Sequence, residues 1–169
     1  MKLSKMLKLK NRLAGEVAKL KGLVPTLNVV EDNRHHEYDI EIKLEEMQVR
    51  LEELALLKTV IALANAGVAG VTEEMASRSQ WYKIFLLAEL RGLAEMLRSI
   101  PVKNGIFKEQ IGFQGDAVEK NYVSFLNQVN IDSRVKDCER RIDDIQDAVD
   151  AYNAKTGNAV VDDIDIFAT

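Results

Sequence analysis

The stretch Leu54–Ala64, LALLKTVIALA, constrains this chain more than any other. Wound as an α-helix it is apolar on nearly every side, so it has to lie buried among several neighbours. It continues a seam that begins upstream: Ile40, Leu44, Met47, Leu51, Leu54 and Ile61 follow coiled-coil-like spacing, interrupted by Lys58. This helix is expected to start near Tyr38 or Asp39 and to stop at NAGVAG, where Asn65, Gly67 and Gly70 are helix-stop and turn residues.

A helix that needs neighbours on all sides calls for more helices, and the sequence supplies them. Leu3, Met6, Leu13, Val17, Leu20, Val24 and Leu27 keep 3-4 spacing in a first helix, with Lys10 the break; Gly22 and Pro25 are expected to stop it. Residues 26–38 read as a polar connector with an apolar patch at Leu27, Val29 and Val30. Thr72 can cap a third helix, with Glu73 and Glu74 in its first turn, and Met75, Tyr82, Leu86, Leu90, Leu93 and Leu97 carry it to Ser99. In the last helix Val135, Cys138, Ile142, Ile145, Val149 and Tyr152 form an unbroken 3-4-3-4-3 seam, with Asp132 or Ser133 as cap and Gly157 as stop. Between the last two helices Asn104-Gly105 is a two-residue hairpin signal, while AVEKNYVSFLNQV suits a short helix. Two prolines and nine glycines in 169 residues fit long helices better than a many-turned β fold. The expected fold is all-α: one domain over 1–169, an antiparallel bundle of about four long helices with coiled-coil-like seams and a small hairpin or loop insert near 100–115. Residues 157–169, with VVDDIDIF, read as an acidic and apolar C-terminal arm.

Charge is unevenly placed. Residues 1–22 hold six Lys and one Arg against Glu16, a local +6, and residues 132–169 hold ten acids against five bases, a local −5. The two ends are expected to lie against each other, within the chain or between copies; the net charge of −4 weighs against nucleic acid as the partner. Cys138 is alone, which excludes an internal disulfide and favours a reducing compartment. No apolar run approaches the ~18 residues of a membrane span, so the expectation is a cytoplasmic protein without a membrane partner.

Both histidines stand together in NRHHEYD. His35 and His36 are adjacent and point different ways on a helix or strand, whereas a helical zinc pair needs i, i+4 spacing. The expectation is a polar corner, with Arg34, His35 and His36 as one wall of an anion-binding surface and no metal site. No glutamate is followed three residues later by an acid; Asp144, Asp147 and Asp150 come nearest to a paired-carboxylate pattern, and they belong to a solvated helix face. There is no G-x-S-x-G, P-loop or dinucleotide fingerprint, and Cys138 sits on the apolar seam as an inert core thiol. No catalytic residue, no cofactor and no enzymatic activity are therefore expected. The best candidate ligand-binding cluster is SRSQWYK, where Arg78, Trp81, Tyr82 and Lys83 combine charge, stacking rings and donors within two turns of one helix, joined by Lys103 of the insert.

The order of segments resembles a family of small bacterial helical proteins labelled septicolysin-like. The matching stretches are the opening MKL, ANAGVAG, TEEMASRSQW and RRIDDIQDAVDAYN, and the matching residues Asn65, Ala76, Arg78 and Asn153. Ala62 and Ala64 replace residues that tend to be polar in that family, and Ser79 replaces the Asp after the Arg. The resemblance implies a helical, oligomeric protein, assigns no activity, and would suit a remote, phage-borne relative. Two functions are expected from different classes: a non-enzymatic protein that self-associates into a homo-oligomer, or an oligomeric binding protein that sequesters a nucleotide or another anionic small molecule, as a phage-borne counter-defence protein would.

Overall fold

The computed structural model describes residues 3–32, 34, 38–110 and 117–162, with side chains described as far as residue 156. His35, His36 and the tail residues 163–169 lie outside that set. The described residues form α1 (Leu3–Leu27), β1 (Val29–Glu31), α2 (Ile40–Asn65), α3 (Glu73–Ser77), α4 (Gln80–Arg98), β2 (Gly105–Gln110), β3 (Ala117–Ser124) and α5 (Gln128–Asp162). The protein is mostly helical, but the expected all-α class needs correcting: a three-stranded antiparallel sheet, ordered β1-β3-β2, is built from the two connections at one end of the helices.

The four long helices run up, down, up and down. α1 packs on α2, α2 on α4, and α4 on α5. The apolar seams supply the core: Leu13, Val17, Leu20, Val24 and Leu27 meet Leu44, Met47, Leu51, Leu54 and Ala55, and these meet Leu86, Leu90, Leu93, Ala94 and Leu97. α5 adds Ile131 and Cys138. Within one chain the basic α1 packs on α2, α4 and β1 rather than on α5, among the described residues. The described part of α5 thus does not meet α1 inside one copy, and the tail residues 163–169 of the acidic end lie outside the described residues. The bases of α5 pair elsewhere, Arg141 with Glu52 and Arg134 with Glu41, both of α2.

Helix ends follow local chemistry, with four departures from expectation. Asp39 caps α2 by accepting from the Glu41 N–H at 2.7 Å, and Thr72 caps α3 by accepting from the Met75 N–H at 3.2 Å, as their side chains allow. α1 continues through Gly22 and Pro25. The proline removes one hydrogen bond in the last turn, while Val24 and Leu27 on either side of it are buried in the core. The expected third helix is two: Arg78 ends α3, and Ser79 opens α4 by accepting from the Tyr82 N–H at 3.2 Å. α5 begins before Asp132, at a reciprocal cap in which Asn127 Oδ1 accepts from the Asn130 N–H at 2.9 Å and Asn130 Oδ1 from the Asn127 N–H at 3.2 Å. It then runs through Gly157, since a lone glycine costs a helix only ~1 kcal/mol relative to alanine.

The insert forms an expected hairpin, β2 with β3, but not around the expected turn. Asn104-Gly105 is not the hairpin turn: Gly105, at φ 100°, starts β2, and Asn104 Oδ1 accepts from the Ser124 N–H at 2.8 Å. Residues 117–124, read above as helix, form the central strand. Their ladder partners are β1, far away in sequence, with Val30 opposite Val123, and the hairpin neighbour β2, with Phe107 opposite Lys120, and this pairing overrides local preference.

Candidate functional site

The described residues among those singled out from the sequence fall at two ends of the molecule. Arg34 and Lys103 sit at the sheet end, and Arg78, Trp81, Tyr82 and Lys83 at the start of α4. α4 is about 28 Å long at 1.5 Å per residue, so Lys103, beyond its far end, does not join the Trp81 cluster in one chain. Nor do Arg78 and Tyr82 share a helix face, because the chain breaks between α3 and α4. Arg78 is exposed and pairs with Glu74 at 2.7 Å. Trp81 is 49% exposed and stacks on Phe85, with ring centroids 6.1 Å apart. Tyr82 is half-buried, and its hydroxyl pKa is raised by burial and by the nearby Glu52 carboxylate, against Arg141. Lys83 is half-buried.

At the sheet end Lys103 belongs to a closed polar cluster. Its Nζ lies 2.9 Å from Glu109 Oε1, 3.7 Å from the Tyr122 ring centre and 4.5 Å from that of Phe107. Tyr122 donates its hydroxyl to the same Glu109 oxygen at 2.7 Å, and Lys120 approaches Oε2 at 3.4 Å. The Lys103 and Tyr122 hydrogen bonds hold the Glu109 carboxyl down at about 2. This carboxylate is fully engaged, so the cluster fastens β2 to β3. Arg34 pairs with Glu31 at 3.3 Å on the neighbouring strand.

Two grooves offer binding space instead. The larger, of about 840 Å³, lies between the first half of α1 and the second half of α2. Met6, Leu9, Leu13, Leu57 and Val60 line it, Val68 and Val71 close one end, and Arg12, Arg50, Glu53 and Glu73 stand along its rim. The apolar stretch of α2 explains it. Leu54 and Ala55 are buried in the core with α1 and α4 and Ile61 is buried too, while Leu56, Leu57, Val60 and Ala64 are left half-buried.

The smaller groove, of about 280 Å³, runs between the parallel helices α2 and α5, with α4 as its floor. Leu44, Leu90, Leu93 and Leu97 supply the apolar surface and Cys138 the thiol, while Gln48, Arg134, Asp137 and Arg141 form the rim. Arg141 Nη2 reaches Glu52 Oε1 at 2.6 Å, and Arg134 pairs with Glu41, so two ion pairs span the mouth from α5 to α2. Burial pushes the Cys138 thiol pKa up, and its Sγ donates to the Leu90 carbonyl at 3.4 Å. Arg134 and Arg141 were not among the residues expected from the sequence. Their signal was there: Arg134, Cys138 and Arg141 stand at i, i+4 and i+7, one helical face that brackets the apolar seam.

Among the described residues no group of three His, Cys, Asp or Glu side chains is placed to hold a metal ion, and no helix is long and apolar enough to cross a membrane. No protein-family model matches the chain, and no curated protein or solved structure is significantly similar to it.

Proposed function

We propose that this chain is a non-enzymatic helical protein that acts as a homo-oligomer, two copies meeting across the groove between α1 and α2. The observation that carries this reading is the groove itself. Half of a long helix that is apolar on almost every side is covered on only part of its circumference. Contiguous apolar surface of this kind marks an association site more often than open solvent-facing surface. The rim supports a second copy as occupant. It carries both signs, Arg12 and Arg50 with Glu53 and Glu73, and a two-fold interface needs one patch that complements itself. The resemblance of its segment order to septicolysin-like proteins would imply an oligomer as well.

The test is mass in solution. Light scattering should report a multiple of the 19.0 kDa chain at micromolar concentration. Val60→Glu, on the groove wall, should return the mass to one chain without changing helical content. A wild-type protein that is monomeric at micromolar concentration sinks the proposal.

A further inference from the structure

We propose that the groove between α2 and α5 binds a small aliphatic carboxylate, its apolar body on the α4 leucines and its carboxylate at Arg141. The inference is independent of self-association, since this groove lies on the other side of the α2–α4 layer from α1. Its lining selects the ligand class. Leu44, Leu90, Leu93 and Leu97 make the surface aliphatic, and no aromatic ring lines it on which a nucleobase could stack. At about 280 Å³ it lies at the small end of ligand sites, which suits a medium-length acyl chain better than a nucleotide.

The polar end is set by the rim. Arg134 and Arg141 stand about 10 Å apart along α5 at 1.5 Å per residue, so one head group meets only one of them. Arg134 and Arg141 are each held by one α2 glutamate, Glu41 and Glu52, through a single terminal nitrogen, and Gln48 on the rim stands one turn from Glu52 but two from Glu41, at the Arg141 end. Arg141 contacts Glu52 through one terminal nitrogen, which leaves the rest of the guanidinium fork for a carboxylate. The Gln48 amide stands on the same rim as a neutral donor. Such sites bind by combining apolar burial with one directed charge-assisted contact, so neither half of the ligand should suffice alone.

Octanoate, octanol and acetate separate these contributions, and Cys138 offers a built-in reporter because it lines the groove and is the only cysteine. The full-length protein is melted with each compound, and the rate of Cys138 modification by an aromatic disulfide reagent is followed in parallel. Octanoate should raise the melting temperature saturably and slow Cys138 modification by about tenfold, the ratio that 1.4 kcal/mol of occupancy produces. Octanol and acetate should do neither. Arg141→Gln should weaken octanoate binding by about tenfold or more. Because that change also strips Glu52 of its partner, Gln48→Phe is the second variant: it starts from an exposed α2 position and should block the groove while the fold melts as before. The proposal falls if octanoate gives no saturable shift, if octanol matches it, or if both variants bind octanoate as the wild type does.

Discussion

The side chain of Asn28 pairs with the backbone of Leu126 through both of its polar atoms. Asn28 Oδ1 accepts from the Leu126 N–H at 2.7 Å and Nδ2 donates to the Leu126 carbonyl at 3.0 Å, across 98 residues of sequence. Nδ2 also donates to the Pro101 carbonyl at 2.8 Å, and the Phe125 N–H reaches the Asn28 carbonyl at 3.0 Å. One fully buried amide thus joins the end of α1, the exit from α4 and the start of α5. Asn28→Ala should cost more than an ordinary surface substitution. It strands buried backbone donors and acceptors, at ~1–3 kcal/mol for each group left unsatisfied. Chemical denaturation should show the loss. Stability within error of wild type would mean that water replaces the amide.

Lys58 and Glu89 form a second long-range tie, between α2 and α4. Glu89 is 8% exposed, so Lys58→Met leaves a carboxylate buried without its partner and should cost ~3–5 kcal/mol. The double variant Lys58→Met, Glu89→Leu should recover most of that loss, because two apolar side chains of similar size need no desolvation of charge. Melting curves of the single and double variants decide it. Equal stability of all three proteins would show that the pair is solvated and unimportant.

The Glu109 cluster predicts an acid-side change confined to the sheet. Its carboxyl sits at about 2 in the folded protein, against an ordinary 4.5. A depressed acid pKa stabilises above the unfolded value, and that stabilisation is lost as pH falls from about 4.5 towards 2. Proton resonances of Tyr122 and Phe107 should therefore shift in that window, before the helices melt. Glu109→Gln should abolish the pH-dependent part of the shift. Ring signals that titrate equally in both proteins would place the change elsewhere.

Leu57 and Ile61 lie one turn apart on α2 and should respond differently to charge. Ile61 is 8% exposed, and Ile61→Asp should unfold the chain, since an unpaired buried charge costs several kcal/mol. Leu57 is half-buried, packing on the core while it lines the groove, and Leu57→Asp should cost less stability than Ile61→Asp while lowering the mass in solution. Circular dichroism and light scattering on the two variants separate the fully buried position from the half-buried one on the same face. Unfolding by both would mean that the groove wall is core.

What the sequence determined by itself was the helical frame. Seams such as Leu44–Met47–Leu51–Leu54 and Val135–Cys138–Ile142 carry a period of 3.6 locally, and Asp39 and Thr72 cap the helices whose N–H groups stand within four residues of them. Such signals need no distant partner, so they can be read along the chain. What only the tertiary structure decided involves residues far apart in sequence. Lys58, a break in the seam when read along α2, is the partner of Glu89; Asn28, one polar residue of a connector, holds Leu126; β3 is a central strand because Val30 arrives opposite Val123. Arg78 and Tyr82 share a helix face only if Ser79 continues the helix, and its side chain instead caps a new one. The arginines of the small groove became a rim only once α2 and α5 were laid parallel over α4. Pairings of this kind gain their energy from removing both groups from water together, and that gain depends on which surfaces meet, a quantity no local window of sequence contains.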